Sequence, residues 1–415
     1  MTAASDPPDE AARGRGDDPE ASPADEADIS PGEPGAPDAP DPAEAAKPDE
    51  EIHEPEDVEP DKADGEEGTA RQVTPEGEKR PMRPPADGAR RRAALVYNPI
   101  KVNQDALRAT VTRLSDAAGW GEPLFFETTV DDLGDDVTRQ ALDEGADAVL
   151  VAGGDGTVRA VSEAMAGTGV PLTIVPSGTG NLLARNLNLP LGDAEPMVAA
   201  TFAGVTHPVD IGFADVRRAD GSRDTHGFVV MAGIGLDAAM IANTNPQLKK
   251  SVGWVAYVDG AARSLATSKP FRVMYQMKGS QKLHSTKVQS VLFANCGALP
   301  AGIALIPEAS VTDGVLDVAM LQPAGWFGWV GVWRKVWWDN SVLRRFRAGR
   351  RVLERRGRNS SVRYLHGEAI ELATSPGQPI ELDGDEFGEA VRLRCRIERG
   401  ALTIVLPEGH DTSVL

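Results

Sequence analysis

The first 90 residues contain no phenylalanine, tryptophan or tyrosine, although they hold 16 of the chain's 31 prolines. They carry 27 Asp and Glu against 9 Lys and Arg, so −18 of the chain's net charge of −20 falls in this segment. Such a composition cannot bury enough apolar surface to offset the entropy that ordering removes. We predict that residues 1–90 are a disordered, acidic, proline-rich tail and that the folded remainder is nearly neutral.

The sequence also has few cysteines and no long apolar run, and no signal peptide is visible in it. Cys296 and Cys395 form no metal or redox motif, which predicts two small core residues. No apolar run reaches the roughly 18 residues that a membrane span needs. The opening residues lack the basic and apolar regions of a signal peptide. We expect a cytoplasmic protein, with any membrane contact peripheral and at the inner face.

Apolar runs and helical spacing alternate along residues 91–209. The runs at 93–97, 124–126, 148–152 and 172–175 predict buried strands, and apolar residues spaced three and four apart between them predict helices. Strands that alternate with helices predict a parallel sheet with helices on both faces. We therefore predict an α/β domain over residues 91–209.

The pattern changes after Asp210. Five runs predict strands, several of them bounded by turn residues, and the last alternates apolar with polar residues: 227–231, 271–277, 288–293, 315–321 and 391–397. One helical segment is predicted near 252–265. This texture predicts a mainly antiparallel β domain over residues 210–407, whose last segment could return to the first domain.

Two glycine-rich loops follow predicted strands and precede predicted helices: Gly153-Gly154-Asp155-Gly156-Thr157 and Ser177-Gly178-Thr179-Gly180-Asn181. Backbone N–H groups at a helix N-terminus form an anion site, and glycines let a phosphate approach closely. Asp155 would repel phosphates unless it serves a cation or a proton, and Thr179 and Asn181 can cap the helix or bind a nucleotide. The alternative is a pair of turns in which glycine serves geometry alone.

The chain resembles the diacylglycerol kinase catalytic domain family, which includes bacterial lipid kinases and the sphingosine and ceramide kinases. The resemblance runs from about Arg91 to Pro407. Six motifs carry it in order: Asn98-Pro99, the two glycine loops, Gly233-Ile234-Gly235-Leu236-Asp237-Ala238, Pro307 through Asp313-Gly314 to Asp317, and Leu382-Asp383-Gly384-Asp385. It implies an α/β ATP-binding domain, a β-sandwich that helps to bind lipid, and ATP in the cleft between them.

The resemblance, together with the loops, also implies site residues. The nucleotide positions are Asn98, Pro99, Thr128 (or its neighbour Thr129), Gly153, Gly154, Asp155, Gly156, Thr157, Ser177, Gly178, Thr179 and Asn181. In the bacterial members a structural Mg²⁺ lies near an Asp-Gly, which matches the carboxylate of Asp313 and the backbone carbonyls of Ser310 and Val315. Oxygen ligands suit this ion.

The late motif of the family is Asp-Gly-Glu, and one of its carboxylates is the base that deprotonates the lipid hydroxyl. Asp383 matches the Asp, and Asp385 stands where Glu is usual, so either could be the base. The implied reaction is ATP-dependent phosphorylation of a lipid hydroxyl, such as that of diacylglycerol or a sphingoid-like lipid. In it the two loops hold the ATP phosphates, and Asp155 assists a catalytic Mg²⁺.

Residues 325–358 combine tryptophans with basic residues. Trp326, Trp329, Trp333 and Trp337 are spaced for one helix face, and Lys and Arg follow. This segment could contact an anionic membrane surface transiently, or it could pack on the second domain with its basic side in solvent. No recognition motif supports nucleic-acid binding. A homodimer is among the oligomeric states that the sequence leaves open.

Two other functions share some of these features. NAD kinase-like enzymes, which phosphorylate a soluble acceptor, also have a Gly-Gly-Asp-Gly-Thr loop. A non-catalytic lipid-binding relative could keep the fold. The second loop and the Asp383/Asp385 motif favour the lipid kinase over both alternatives.

Overall fold

The computed structural model describes residues 90–235, 270–299, 303–304, 306, 309–322, 362–412 and 415. Three of the sequence predictions lie outside the described residues, namely the acidic tail, the helix near 252–265 and the aromatic-basic segment 325–358. Within the described part of the chain, no helix is long and apolar enough to cross a membrane.

The first part of the chain forms the α/β layer that its alternating pattern predicts. Its four strands are β1 (Ala93–Tyr97), β2 (Leu124–Glu127), β3 (Ala148–Gly153) and β4 (Pro171–Pro176), all parallel in the order β2-β1-β3-β4. The helices are α1 (Gln104–Ala117), α2 (Asp135–Asp143), α3 (Asp155–Met165), α4 (Leu182–Asn186) and α5 (Glu195–Ala203). Every residue of β1 and β3 is buried, because helices cover both faces of a parallel sheet. The predicted α/β fold class is confirmed.

The second part is mainly antiparallel, as predicted. Its strands are β5 (Val205–Arg217), β6 (Arg223–Phe228), β7 (Met231–Ile234), β8 (Phe271–Met277), β9 (His284–Val288), β10 (Ser290–Ala294), β11 (Ala298–Leu299), β12 (Ile303–Ala304), β13 (Leu316–Leu321), β14 (Val362–Gly367), β15 (Ala369–Leu382) and β16 (Asp385–Leu406). The main sheet runs β14-β13-β10-β7-β15-β16, with β5 and β6 beside β16 and with β8 and β9 beside β15. Apolar side chains from these strands enclose a separate core, which confirms the β-sandwich-like domain.

Strand β16 joins the two parts. Its first half pairs antiparallel with β15, and Thr403 and Ile404 near its end pair in parallel with β4. The last segment of the chain therefore returns to the first sheet. Strand β5 runs unbroken through the boundary that the sequence places between residues 209 and 210, because it pairs with both halves of β16.

Two runs that the sequence predicts as single strands are interrupted. The prediction for 227–231 is wrong because β6 ends at Phe228 and β7 begins at Met231, and the backbone N–H groups between them turn toward the Asp383 carboxylate. The prediction for 288–293 is wrong at Gln289, whose backbone N–H leaves the strand to donate to Leu321. Both cysteines are free and buried, as expected.

Candidate active site

The predicted nucleotide positions meet at one edge of the parallel sheet. Asn98 and Pro99 follow β1, Thr128 follows β2, the loop 153–157 joins the last residue of β3 to the first turn of α3, and the loop 177–181 follows β4. Backbone hydrogen bonds hold Asn98 and Thr128 at this edge. The N–H group of Asn98 donates to the carbonyl of Ala152 in β3 over 2.9 Å, and that of Thr128 donates to the carbonyl of Tyr97 in β1 over 2.9 Å. Carboxyl ends of parallel strands form the crevice in which α/β sheets bind ligands.

The neighbouring threonines at the end of β2 differ in burial. Thr129 is exposed, and its hydroxyl accepts a hydrogen bond from the backbone N–H of Asp132 over 3.0 Å. Thr128 is only 4% exposed. The Thr128 hydroxyl has no hydrogen-bond partner within the described chain. A buried hydroxyl without a partner is unfavourable, so Thr128 is the better placed of the two to bind a ligand.

The first glycine loop leaves open space at the start of α3. The first backbone hydrogen bond of α3 runs from the N–H group of Val158 to the carbonyl of Gly154. The N–H groups of Gly156 and Thr157 come before it, where a helix leaves its amides without a partner in the helix. A Cβ atom on Gly154 would meet no atom within 4 Å, whereas one on Gly153 would lie 2.6 Å from Thr157. No side chain caps this helix N-terminus, and uncapped amides beside an open glycine backbone suit a phosphate.

The second glycine loop is shaped by the side chain of Asn181. This residue has a positive φ of 48°. Its Oδ1 accepts from the Gly178 N–H over 2.9 Å, and its Nδ2 donates to the Gly178 carbonyl over 2.6 Å. The suggestion that Asn181 caps the following helix with its side chain is wrong, because the amide is turned back onto its own loop. Ser177 donates to Val175, while Thr179 is exposed at the tip.

Asp155 connects the two loops. Its carboxylate accepts hydrogen bonds from the backbone N–H groups of Asn181, over 3.1 Å, and Leu182, over 2.6 Å. A Cβ atom on Gly180 would lie 2.2 Å from Asp155 Oδ2, so this contact requires glycine. The sequence predicted only a cation or a proton beside Asp155, and the structure adds these two backbone donors. Burial raises the pKa of Asp155 and the Asp385 charge adds to the rise, while the two amides oppose it.

Asp383 lies in the two-residue turn between β15 and β16. Asp383 and Gly384 have φ values of 50° and 95°, as the type I′ hairpin turn requires, and Asp-Gly favours that turn. The buried Asp383 carboxylate accepts three backbone hydrogen bonds, from Val229, Val230 and Met231, over 2.7 to 2.9 Å. Burial raises the pKa of Asp383 to about 6, and the three donors limit the rise. The carboxylate is thus engaged in holding the β6–β7 turn.

Asp385 follows the same turn and is placed differently. Its side chain is 40% exposed. A Cβ atom on Gly156 would lie 2.8 Å from Asp385 Oδ2, which brings this carboxylate against the first turn of α3. The same oxygen lies 3.7 Å from Arg159 Nε, and neither atom has a hydrogen-bond partner within the described chain. Asp385 is therefore the carboxylate of the motif that faces the phosphate loop and remains available.

Arg159 is a site residue that the sequence reasoning missed. It is only 4% exposed and lies on α3, one turn after the phosphate loop. Its guanidinium donates to Glu163 over 3.0 Å and lies 4.8 Å from the centre of the Phe387 ring. The sequence held one signal for this residue. Arg159 and Glu163 are four residues apart, the spacing of an ion pair on a helix, and they follow the phosphate loop directly. Arg159 places a buried positive charge beside Asp385.

Glu381 adds a further carboxyl group near this hairpin. It pairs across the hairpin with Glu386. Burial raises the pKa of Glu381 to about 7, and the charges of Glu386 and Asp385 add to the rise. Glu381 can therefore carry a proton near neutral pH while lying beside the candidate base.

The predicted Mg²⁺ residues lie together on one turn before β13. Asp313 is exposed, and its Oδ1 accepts from the Val315 N–H over 2.9 Å. The hydroxyl of Ser310 donates to the backbone oxygen of Leu415 over 3.0 Å. Buried Asp210 anchors the turn by accepting from the Gly314 N–H over 2.7 Å. One carboxylate and two carbonyl groups on one turn are the oxygen donors that suit Mg²⁺. The described residues hold no cluster of three or more His, Cys, Asp or Glu suited to a metal.

We expect the Asp383→Ala substitution to lower the free energy of unfolding by about 3 kcal/mol or more. It leaves three buried N–H groups without an acceptor, at about 1 kcal/mol or more each, and it puts alanine at a positive φ. Asp383→Asn should lose less, because it keeps an acceptor and tolerates this backbone. Urea unfolding of both variants measures the difference. Equal stability of Asp383→Ala and wild type would contradict the role of these bonds.

The stability difference between wild type and Asp383→Asn should also depend on pH. The pKa of Asp383 is about 6 in the folded chain against an ordinary value of 3.8. The native state therefore binds the proton more tightly, and the contribution of this group to stability falls as pH rises from 3.8 to about 6. The Asp383→Asn variant cannot titrate there, so its unfolding free energy should fall less steeply across that range.

Two glycine loops at the edge of a parallel sheet, facing a carboxylate from a β-sandwich-like domain, define a kinase-type phosphotransferase fold. The profile of the diacylglycerol kinase catalytic domain matches residues 92–214, and that of the YegS C-terminal NAD kinase beta sandwich-like domain matches residues 229–406. The chain belongs to the diacylglycerol kinase catalytic domain family and is a phosphotransferase of that family.

Individual proteins agree with this assignment. A protein of Pseudomonas aeruginosa (strain UCBPP-PA14) named "Probable lipid kinase YegS-like" is 30% identical over 326 residues, or 76% of this chain and 94% of that protein. A diacylglycerol kinase of Mycobacterium tuberculosis (strain CDC 1551 / Oshkosh) is 29% identical over 182 residues, or 44% of this chain and 57% of its own length. A crystal structure of a diacylglycerol kinase from Bacillus anthracis str. Sterne has the same fold, with a TM-score of 0.56 and 19% identity over 79% of this chain and all of that one.

Proposed function

We propose that this chain transfers the γ-phosphate of ATP to the hydroxyl group of a lipid, such as diacylglycerol or a sphingoid-like lipid. The observation that carries the proposal is the placement of Asp385, a carboxylate of the second domain that lies against Gly156 in the phosphate loop. A base directly beside the phosphate site is what transfer to a hydroxyl requires.

The two glycine loops hold the phosphates of ATP in this proposal. The amides of Gly156 and Thr157 precede the first backbone hydrogen bond of α3, and the space beside Gly154 is open. Asp155 keeps the second loop, with Thr179 at its tip, against the first through its two amide contacts. Phosphoryl transfer asks the protein mainly to position the reactants and to neutralise charge, and a rigid pair of loops serves both needs.

Asp385 accepts the proton of the attacking lipid hydroxyl. Of the two carboxylates in the motif, Asp383 is buried and accepts three backbone bonds, whereas Asp385 Oδ2 has none within the described chain. Arg159 keeps Asp385 oriented through the 3.7 Å contact between their side chains.

Two sets of residues would hold Mg²⁺ in this mechanism. Asp155 is the ligand that we assign to an ion beside the phosphates, since its two amide contacts use only part of the acceptor capacity of a carboxylate. Asp313, with the carbonyls of Ser310 and Val315, is the set that we assign to a structural ion. Bound Mg²⁺ neutralises phosphate charge.

The names of the relatives support a lipid acceptor. The Pseudomonas protein is named as a lipid kinase and the Mycobacterium protein as a diacylglycerol kinase. Because these relatives carry such names, a lipid alcohol is a better supported acceptor for this chain than a soluble dinucleotide.

Labelled ATP and a panel of acceptors in mixed micelles test the proposal. Diacylglycerol, a sphingoid base, phosphatidylglycerol and a polyprenol supply the lipid hydroxyls, and NAD supplies a soluble one. We expect label to appear in at least one lipid product and not in NADP. Label in NADP alone would indicate a kinase of a soluble acceptor, and no transfer to any acceptor would indicate a non-catalytic relative. Either result would overturn the proposal.

A further inference from the structure

Strand β16 has a bulge just after the candidate base. Between Glu386 and Glu389, β16 has two residues, Phe387 and Gly388, where the paired strand β15 has one. Gly388 has a φ of 74°, which glycine adopts without strain. A bulge redirects a side chain, and bulges are common beside active sites. The side chain that this bulge redirects belongs to Phe387, two residues after Asp385.

An arginine from the turn after β5 holds the bulge in place. Arg218 Nη1 donates to the backbone carbonyl of Phe387 over 2.8 Å and to that of Glu389 over 3.3 Å. Its Nε and Nη2 both donate to Asp224 Oδ2, over 3.0 and 2.6 Å, so the guanidinium is fixed on its other side as well. A Cβ atom on Gly388 would lie 2.9 Å from Arg218 Nη1, so glycine leaves room for this contact.

The ring of Phe387 lies between two other elements of the structure. Its centre is 4.5 Å from that of the His226 ring on β6 and 4.8 Å from the guanidinium carbon of Arg159 on α3. An arginine this close to an aromatic face is attracted to it. The ion pair with Glu163 holds only the Nη1 end of Arg159, and the ring restricts rotation of the rest of the group. The other side of that group, Nε, lies 3.7 Å from Asp385 Oδ2.

We propose that Phe387 is a positioning residue for phosphoryl transfer, and that it acts through Arg159 to hold Asp385 in place. The inference rests on the proposed function, in which Asp385 is the base. Because Asp385 Oδ2 has no hydrogen-bond partner within the described chain, its orientation depends on the guanidinium beside it. A base must lie within hydrogen-bond reach of the hydroxyl that it deprotonates. Loss of the ring therefore slows the transfer step and leaves the ATP phosphates held as before.

Substitutions of Phe387 separate the ring from its bulk. We expect Phe387→Leu to lower kcat for lipid phosphorylation about ten- to hundredfold, as a misplaced catalytic group does, with an unchanged ATP Kd. Phe387→Tyr keeps the ring and should retain nearly wild-type turnover. Thermal unfolding of each variant checks that the compared proteins are folded. Equal kcat for Phe387→Leu and wild type would overturn the inference.

Phe125→Leu is the matched control. Phe125 is also half-buried, and the guanidinium carbon of Arg108 lies 4.5 Å from its ring centre. It lies on β2, at the edge of the parallel sheet farthest from β16. This variant removes the same kind of arginine–ring contact, and we expect wild-type kcat. A loss of kcat equal to that of Phe387→Leu would show that the effect is not specific to the bulge and would overturn the inference.

A double-variant cycle tests the route from Phe387 to the base. If the ring acts by holding Asp385, the Phe387→Leu substitution should lower kcat no further once Asp385→Asn has removed the base, because the two changes act on one unit. A further loss as large as that in the wild-type background would mean that the ring acts by another route, and it would overturn the inference.

The nuclear magnetic resonance signal of the Arg159 Nε–H group gives a readout that does not depend on turnover. Its absence from Arg159→Lys assigns it. Phe387→Leu should shift this signal, because the ring current is lost, and should speed its hydrogen exchange, whereas Phe125→Leu should leave it unchanged. An unchanged signal in Phe387→Leu would overturn the inference. If wild type phosphorylates no lipid, the proposed function is wrong, and this signal still decides whether Phe387 positions Arg159.

Discussion

The Asp385→Asn variant is expected to lose between 10²- and 10⁴-fold in kcat for lipid phosphorylation, the range that general-base help supplies. Asparagine keeps the shape of the side chain but cannot take the proton of the attacking hydroxyl. ATP affinity should change little, because the amides of the two loops and not Asp385 hold the phosphates. Initial rates at saturating lipid, together with a direct measurement of the ATP Kd, check both parts.

Glu386→Gln is the matched control for this prediction. It removes an exposed carboxylate one residue further along β16, and we expect near wild-type turnover. If Glu386→Gln loses activity while Asp385→Asn keeps it, the base is Glu386. If both variants turn over at the wild-type rate, the hairpin supplies no base and the proposed chemistry is wrong.

Gly154→Ala is expected to weaken ATP binding by about ten- to hundredfold while leaving the fold intact. A Cβ atom on Gly154 would meet no protein atom within 4 Å, and the φ of −85° suits alanine. The added methyl group would project into the space that we assign to phosphate, and the loss of one hydrogen bond to a charged group costs about 1.5–3 kcal/mol. Titration calorimetry with an ATP analogue measures the change.

Gly192→Ala controls for the glycine substitution itself. Gly192 also has open space around its added Cβ and no positive φ, and it lies in the segment between α4 and α5, away from the loops. We expect wild-type ATP affinity and wild-type thermal stability for this variant. Equal ATP affinity in Gly154→Ala and Gly192→Ala would show that the space beside Gly154 is not the phosphate site.

Much of the first domain could be predicted because its information is local. The apolar runs of β1 and β3 are buried on both faces, and their period and length identify them without any knowledge of their neighbours. The glycine loops were recognisable for the same reason, since each joins a strand to a helix within a few residues. The run at 227–231 was misjudged because the turn within it depends on Asp383, more than 150 residues away.

In the site, too, local features could be predicted from the sequence and long-range contacts could not. The motif identified Asp383 and Asp385 as a pair but could not assign their roles, because the two carboxylates differ only in what surrounds them. Burial and three amide donors engage Asp383, whereas Asp385 lies against Gly156. Arg159 went unnoticed because a lone arginine on a helix is ordinarily solvated. Its position beside Asp385 depends on the packing of α3 against the β15–β16 hairpin.

By itself, then, the sequence determined the α/β and antiparallel β composition, the two phosphate loops and the carboxylate pair, because strand and helix periods and glycine-rich turns are properties of neighbouring residues. Only the tertiary structure decided which carboxylate faces the phosphate loop and that Asp155 ties the two loops together. These depend on contacts between residues far apart in the chain, and such contacts exist only once β16 has paired with both β5 and β15.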